Sequence, residues 1–191
     1  MAGRHRLFHW GLPGLLLLLS GCTHHVAFDD IDYTVDQEPR EEPTEVVITE
    51  EQRSAEVPVR SGMAGFAHSW VAFPGEMLVQ VAEVEVPQVF SDSQLVTEPS
   101  GAEDRYQLFL EVPYYSFSNH RATVRMRAEL LDADKEQLLD QTYENRGDTY
   151  GARMFWGGAF GMKSAMRNSS LEAYQANFEQ LRADLEEALD E

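Results

Sequence analysis

The sequence predicts an α+β fold: an antiparallel β-meander of about three to five strands, packed by a C-terminal helix and one earlier helix, behind a disordered acidic tether. Three observations predict it. Apolar and polar residues alternate through 106–112 and 122–130, the period of half-buried strands. From Leu171 to Leu189 apolar residues return every three or four positions, the period of a helix with one buried stripe. A stretch bounded by Pro74 and Pro87 carries the same helical spacing ahead of the strands.

The chain has 191 residues, room for one domain beyond any leader. It opens "MAGRHRLFHWGLPGLLLLLSGC": Arg4 and Arg6, then an apolar run from Leu12 to Leu19, then the small residues Ser20 and Gly21. That order is the pattern of a cleaved export signal, and the apolar run falls short of the ~20 residues a membrane crossing needs. "LSGC", Leu19 to Cys22, resembles the bacterial lipobox, and Cys22 is the only cysteine in the chain. The resemblance implies cleavage of residues 1–21, a thioether-linked diacylglycerol on Cys22, and N-acylation of the new terminus. Acyl chains contribute about 0.8 kcal/mol per buried methylene, and more than one chain holds a protein firmly on a bilayer. Thr23 stands where an Asp would signal retention at the inner membrane. The expected location is therefore the outer membrane, with the domain in the periplasm.

Residues 29–56 carry eleven acids against Arg40 and Arg53, with Pro39 and Pro43 and few large apolar side chains. Such a stretch buries too little surface to order itself, so residues 22–56 read as a lipidated cysteine and a flexible tether. As a coil the tether averages ~35 Å in span. "EVVIT", 45–49, is its one segment able to add an edge strand. The single folded domain is expected at 57–191.

Within that domain, 74–87 as a helix turns Met77, Leu78, Val81, Ala82 and Val84 inward and Glu76, Gln80 and Glu83 outward. A short strand follows near 94–97. Tyr106–Val112 and Ala122–Leu130 alternate as strands, and "DADKEQ" turns into a third strand around 138–143. Short connections make the three an antiparallel meander with one face to cover. The last helix is expected to start at the capping-box pattern Ser169 to Glu172 and to lay Leu171, Tyr174, Phe178, Leu181 and Leu185 on the sheet. Acids in its last turn oppose the helix dipole. This order of tether, meander and terminal helix is similar to that of YajG-like and transport-auxiliary envelope lipoproteins over roughly 75–190.

The formal net charge of −18 excludes nucleic acid as a partner and argues against charge-driven binding to anionic lipid. "GGAFGMKS", Gly157 to Ser164, mimics a phosphate loop, but Met162 stands where a glycine must let the amides wrap phosphate, so no nucleotide is expected. Asp132 onward resembles a calcium loop only in part: Gln137 and Tyr143 replace its glycine and its bidentate glutamate. His24 and His25 with Asp29, Asp30 and Asp32 lie on the expected tether, which would not hold ligands in a fixed geometry. His68 and His120 stand alone, and neither G-x-S-x-G nor H-E-x-x-H occurs. No catalytic residue, no metal site and no cofactor beyond the lipid on Cys22 is expected.

Two segments combine glycine with aromatics and methionine: 62–75 and 150–162. Buried, they are core; exposed, they are an apolar patch for a protein partner or for acyl chains. Met154, Phe155, Trp156 and Phe160 are the contact residues in the second reading. The expected function is a non-catalytic accessory or adaptor module of a cell-envelope complex. The alternative is a transport auxiliary binding lipid or another hydrophobic ligand.

Overall fold

The computed structural model describes residues 22–28, 31, 33–35, 38–59 and 68–190, except for the side chains of 22, 68 and 151–159. Among the described residues eleven elements follow one another: β1 Cys22–Val26, β2 Thr44–Val47, α1 Glu50–Arg53, β3 Val57–Val59, β4 His68–Ala72, α2 Pro74–Val89, β5 Ser93–Val96, β6 Tyr106–Ser118, β7 Arg121–Leu131, β8 Gln137–Arg146 and α3 Gly151–Asp190. The fold is α+β, with a five-stranded mixed sheet in the order β5-β2-β6-β7-β8 and a three-stranded sheet in the order β1-β4-β3.

The meander forms as the alternation predicts. β6, β7 and β8 pair antiparallel, and Leu108, Leu110, Val124, Met126, Ala128 and Leu130 are buried. Two features escaped the pattern. Asn119 and His120, both with positive φ, close the β6–β7 connection as a two-residue hairpin. Pro113 sits at a register shift between Glu111 and Tyr114, a bulge that tolerates its missing amide. α2 forms as expected and buries Met77, Leu78, Val81 and Ala82, but Glu85 rather than Val84 completes its inward face. It also continues past Pro87 to Val89, because losing one amide bond near a helix end removes little.

The expected tether is corrected wherever its residues are described. β2 is an interior strand, parallel to both β5 and β6, with Thr44, Glu45, Val46 and Val47 all buried. A central strand has both edges hydrogen-bonded and both faces covered, so four residues can order despite acidic flanks. β1 begins at Cys22 itself and pairs in parallel with β4, Cys22 opposite His68 and Val26 opposite Ala72. The folded unit thus includes segments from 22–56 and does not begin at 57.

The cover of the sheet is corrected too. Ser169 is not a cap. It lies mid-helix, and its hydroxyl accepts the Ala122 amide at 2.8 Å, tying α3 to the start of β7. Ser170 Oγ meets the Tyr115 hydroxyl at 2.9 Å, and Glu172 accepts the Asp148 amide at 2.7 Å. The capping-box residues serve tertiary contacts because the helix starts eighteen residues earlier, at Gly151. Its second half packs as predicted: Tyr174, Phe178, Leu181 and Leu185 are buried. No helix among the described residues is long and apolar enough to cross a membrane.

Candidate interaction surface

α2 and the second half of α3 lie side by side on the sheet, pointing the same way. Tyr174 donates to the Pro74 carbonyl at 2.6 Å at the start of α2, and Arg182 pairs with Glu85 toward its end. Beyond the amino ends of both stand the three-stranded sheet and the first half of α3. β1 leaves its sheet at Ala27, whose carbonyl accepts the Arg167 guanidinium at 2.5 Å. Phe28 then packs edge-on against Tyr174, and its backbone amide and carbonyl both bond the Gln80 side chain at 3.1 Å.

α3 does not run straight through this end. Tyr150, the residue before the helix, donates its hydroxyl to the Glu172 carboxylate. A tyrosine and a glutamate side chain together bridge ~14 Å at most. A straight helix would set Gly151 about 32 Å from Glu172. The helix axis must therefore reverse by roughly 100° or more within that stretch. Burial recurs without interruption at Met162, Ala165, Met166, Ser169, Ser170, Ala173 and Tyr174, so the turn lies before Met162. Gly157, Gly158 and Gly161 fall there, and glycine pairs are where sharp helix turns occur.

Phe160 rides on that tip and is 89% exposed, more than any other large apolar side chain of the described residues; Tyr114 and Leu138 reach 45% and 37%. Beside it opens a groove of about 320 Å³ lined by Phe28, Phe160, Lys163, Ser164, Arg167, Asn168 and Leu171. The floor is aromatic and aliphatic and the rim is cationic. Among the expected contact residues, Phe160 is therefore on the surface, whereas the side chains of Met154, Phe155 and Trp156, and the segment 62–67, lie outside the described residues. Cys22 is placed as the first residue of β1; its side chain is also outside them. Gly157 to Ser164, the mimic of a phosphate loop, lies within α3. Phe28 and Arg167 were not singled out from sequence. Phe28 lay in the stretch read as tether, and Arg167 is one cation on a long helix.

The other polar cluster is structural in its geometry. Glu85, 1% exposed, accepts the Tyr33 hydroxyl at 2.6 Å and pairs with Arg182. Burial first, and the Glu85 carboxylate second, hold the Tyr33 hydroxyl far above the usual tyrosine range. These contacts pin the 33–35 segment to α2 and α3. Tyr115, enclosed beside Ser170, is pushed up to about 12 by burial, against the lowering effect of the Ser170 bond. No group of three or more His, Cys, Asp or Glu side chains among the described residues is arranged to hold a metal. His24 stacks on Trp70 at 5.6 Å and His25 on Phe73 at 3.8 Å, with His25 Nε2 3.0 Å from Glu76. Asp29, Asp30 and Asp32, the other members of the weighed metal cluster, lie outside the described residues. The interior void bounded by Val86, Val89, Phe90 and Phe178 measures about 10 Å³, too small for an acyl chain.

No family model matches the chain, and no curated protein matches it. Solved structures similar to it include an uncharacterized protein, at 10% identity and a TM-score of 0.42, covering 85% of this chain and 96% of that one. Another is a hypothetical protein from Chlamydia trachomatis, at 11% identity and a TM-score of 0.39, covering 77% of this chain and 96% of that one.

Proposed function

We propose that the chain is a bacterial lipoprotein, anchored through lipid on Cys22 in the outer membrane with its domain in the periplasm. Its folded unit acts as a non-catalytic accessory or adaptor module of a cell-envelope complex. The observation that carries the adaptor reading over the ligand carrier is where the apolar surface lies. It is offered outward at Phe160, Tyr114 and Leu138, while the void between α2 and α3 at Val86, Val89, Phe90 and Phe178 holds only about 10 Å³. A module of this kind works by surface contact, and exposed aromatics contribute disproportionately to such contacts. The lipobox pattern at Leu19–Cys22 supports the anchor.

Two measurements test this reading. Cys22→Ser should leave an unprocessed, unlipidated chain; a mutant whose amino terminus is still acylated, or that partitions as before into detergent, refutes the anchor. Photo-crosslinkers placed in living cells at positions 114, 138 and 160 should give a discrete protein adduct from at least one. If none of the three captures a protein, the adaptor assignment fails.

A further inference from the structure

The sequence forming the end of the molecule where β1 begins differs in charge from the rest. None of the 33 acidic residues falls in 22–28, 57–59, 68–75 or 151–171, and the last of these carries Arg153, Lys163 and Arg167. From Glu172 to Asp190 the same helix carries six acids and one cation, Arg182. The chain is acidic as a whole, but charges more than ~8 Å apart are largely screened at physiological salt. Glu76 meets this end through His25, 3.0 Å away, but a contacting surface still meets the local charge there, not the net −18.

Position adds to charge. β1 and the first half of α3 both lead away from the junction where Ala27 meets Arg167. Five residues of strand from Ala27 back to Cys22 cover ~16 Å. Seven residues of helix from Arg167 back to Phe160 cover ~10 Å. No spacer separates Cys22 from the fold, because it is already paired opposite His68. A lipid on Cys22 would hold this end against the bilayer instead of letting the domain float at the end of a tether.

We infer that the glycine-rich tip of α3 is a second membrane contact: Phe160 enters the headgroup layer of a phospholipid bilayer, and Lys163 and Arg167 face its anionic phosphates. The inference rests on the lipobox reading for which bilayer is contacted, but not for the contact itself. An aromatic side chain beside cations, on a segment with no acids, is the composition of an interfacial anchor. One acyl attachment point leaves a domain free to rotate; a second contact fixes its orientation, with the acidic carboxyl-terminal half of α3 and the free ends of the helices away from the lipid.

The test uses the mature chain, residues 22–191, carrying Cys22→Ser, so that lipidation plays no part. It is sedimented with vesicles of phosphatidylcholine alone or with 30–40% phosphatidylglycerol (roughly a bacterial anionic fraction). Binding should require phosphatidylglycerol, weaken at high salt, and fall at least threefold in Phe160→Ser, whose side chain is 89% exposed, and in Lys163→Glu, whose side chain is half-buried, with circular dichroism checking that both variants keep the parent's fold. Leu138→Ser, on the β8 edge, should bind as the parent does. Absence of binding to anionic vesicles, or binding indifferent to both tip substitutions, overturns the inference while leaving the Cys22 anchor to its own test. In cells, a protein rather than a lipid adduct from position 160 would also overturn it, and would assign the tip to the adaptor's partner.

Discussion

Replacing Arg182 by Met separates the Glu85 carboxylate from its cationic partner among the described residues. Glu85 is 1% exposed, and the remaining donor to it is the neutral Tyr33 hydroxyl at 2.6 Å. Removing one member of a buried ion pair costs about 3–5 kcal/mol, because the charge left behind is desolvated without compensation. Arg182 itself keeps 20% of its side chain in solvent. Water can enter the space that Met leaves, which reduces the expected loss to roughly 2–4 kcal/mol. Against a total stability of about 5–15 kcal/mol that is a large fraction. In urea, with a slope near 2 kcal/mol/M, the midpoint should move down by about 1–2 M at unchanged slope. Arg182→Met combined with Glu85→Leu should recover at least half of the loss, since the unpaired charge is gone. The double-mutant cycle then gives a coupling of about 1 kcal/mol or more. A single substitution costing less than about 1 kcal/mol would refute the reasoning. It would mean that the pair is screened as a surface bridge is, and that the 33–35 segment is not held by it.

Two further outcomes follow from close packing and from charge. Gly147→Ala would set a Cβ 1.8 Å from the Ser169 carbonyl oxygen, a backbone atom fixed by the helix. The expected loss is about 3 kcal/mol or more, seen as a melting temperature lower by roughly 6–12 °C. Gly101→Ala, with open space around it but a φ of +79°, should cost only about 1 kcal/mol. If the two glycines respond alike, the contact between the 147 turn and α3 is looser than described. Glu45 supplies a pH dependence. Burial raises its carboxyl, but the Ser100 bonds and the cations Arg105 and Lys135 together outweigh burial and hold it below the usual range. A depressed folded-state value contributes stability above the ordinary carboxylate pKa of ~4.3 and loses it as pH falls through the folded value. Urea midpoints measured from pH 5 down to pH 2 should therefore fall less steeply in Glu45→Gln than in the parent. Parallel slopes would mean that Glu45 is not among the groups driving acid unfolding.

Much of this fold was legible in the sequence because local pattern carried it. The alternation in β6 and β7, and the three-four seam from Leu171 onward, each set one side of an element toward the core, and that side is buried. The same logic misread 44–47. A central strand presents no alternation, and four residues between acidic flanks have the composition of a linker, until parallel pairing on both sides supplies every backbone partner. It misread Ser169 and Glu172 for a related reason: a serine and a glutamate three apart can cap a helix, but only tertiary structure decides whether a nearer partner takes them. At the candidate surface, the sequence picked out Phe160 and the glycines around it. It did not show that Phe28, just past β1, completes the groove beside it.

By itself, then, the sequence determined the types of α2, β5 to β8 and the second half of α3, the inward faces of the meander and terminal helix, the lipobox pattern at Cys22 and the absence of acids from 151–171. Those are properties of neighbours along the chain, and local spacing and composition specify them. Only the tertiary structure decided that β2 lies inside the sheet, that β1 leaves Cys22 no spacer, and that Phe160 stands exposed beside Phe28 where α3 reverses. Each of these depends on residues from separate parts of the chain meeting, as Thr44 meets Tyr106, Cys22 meets His68 and Ala27 meets Arg167. That proximity is set by the packing of the whole core, which no local period encodes.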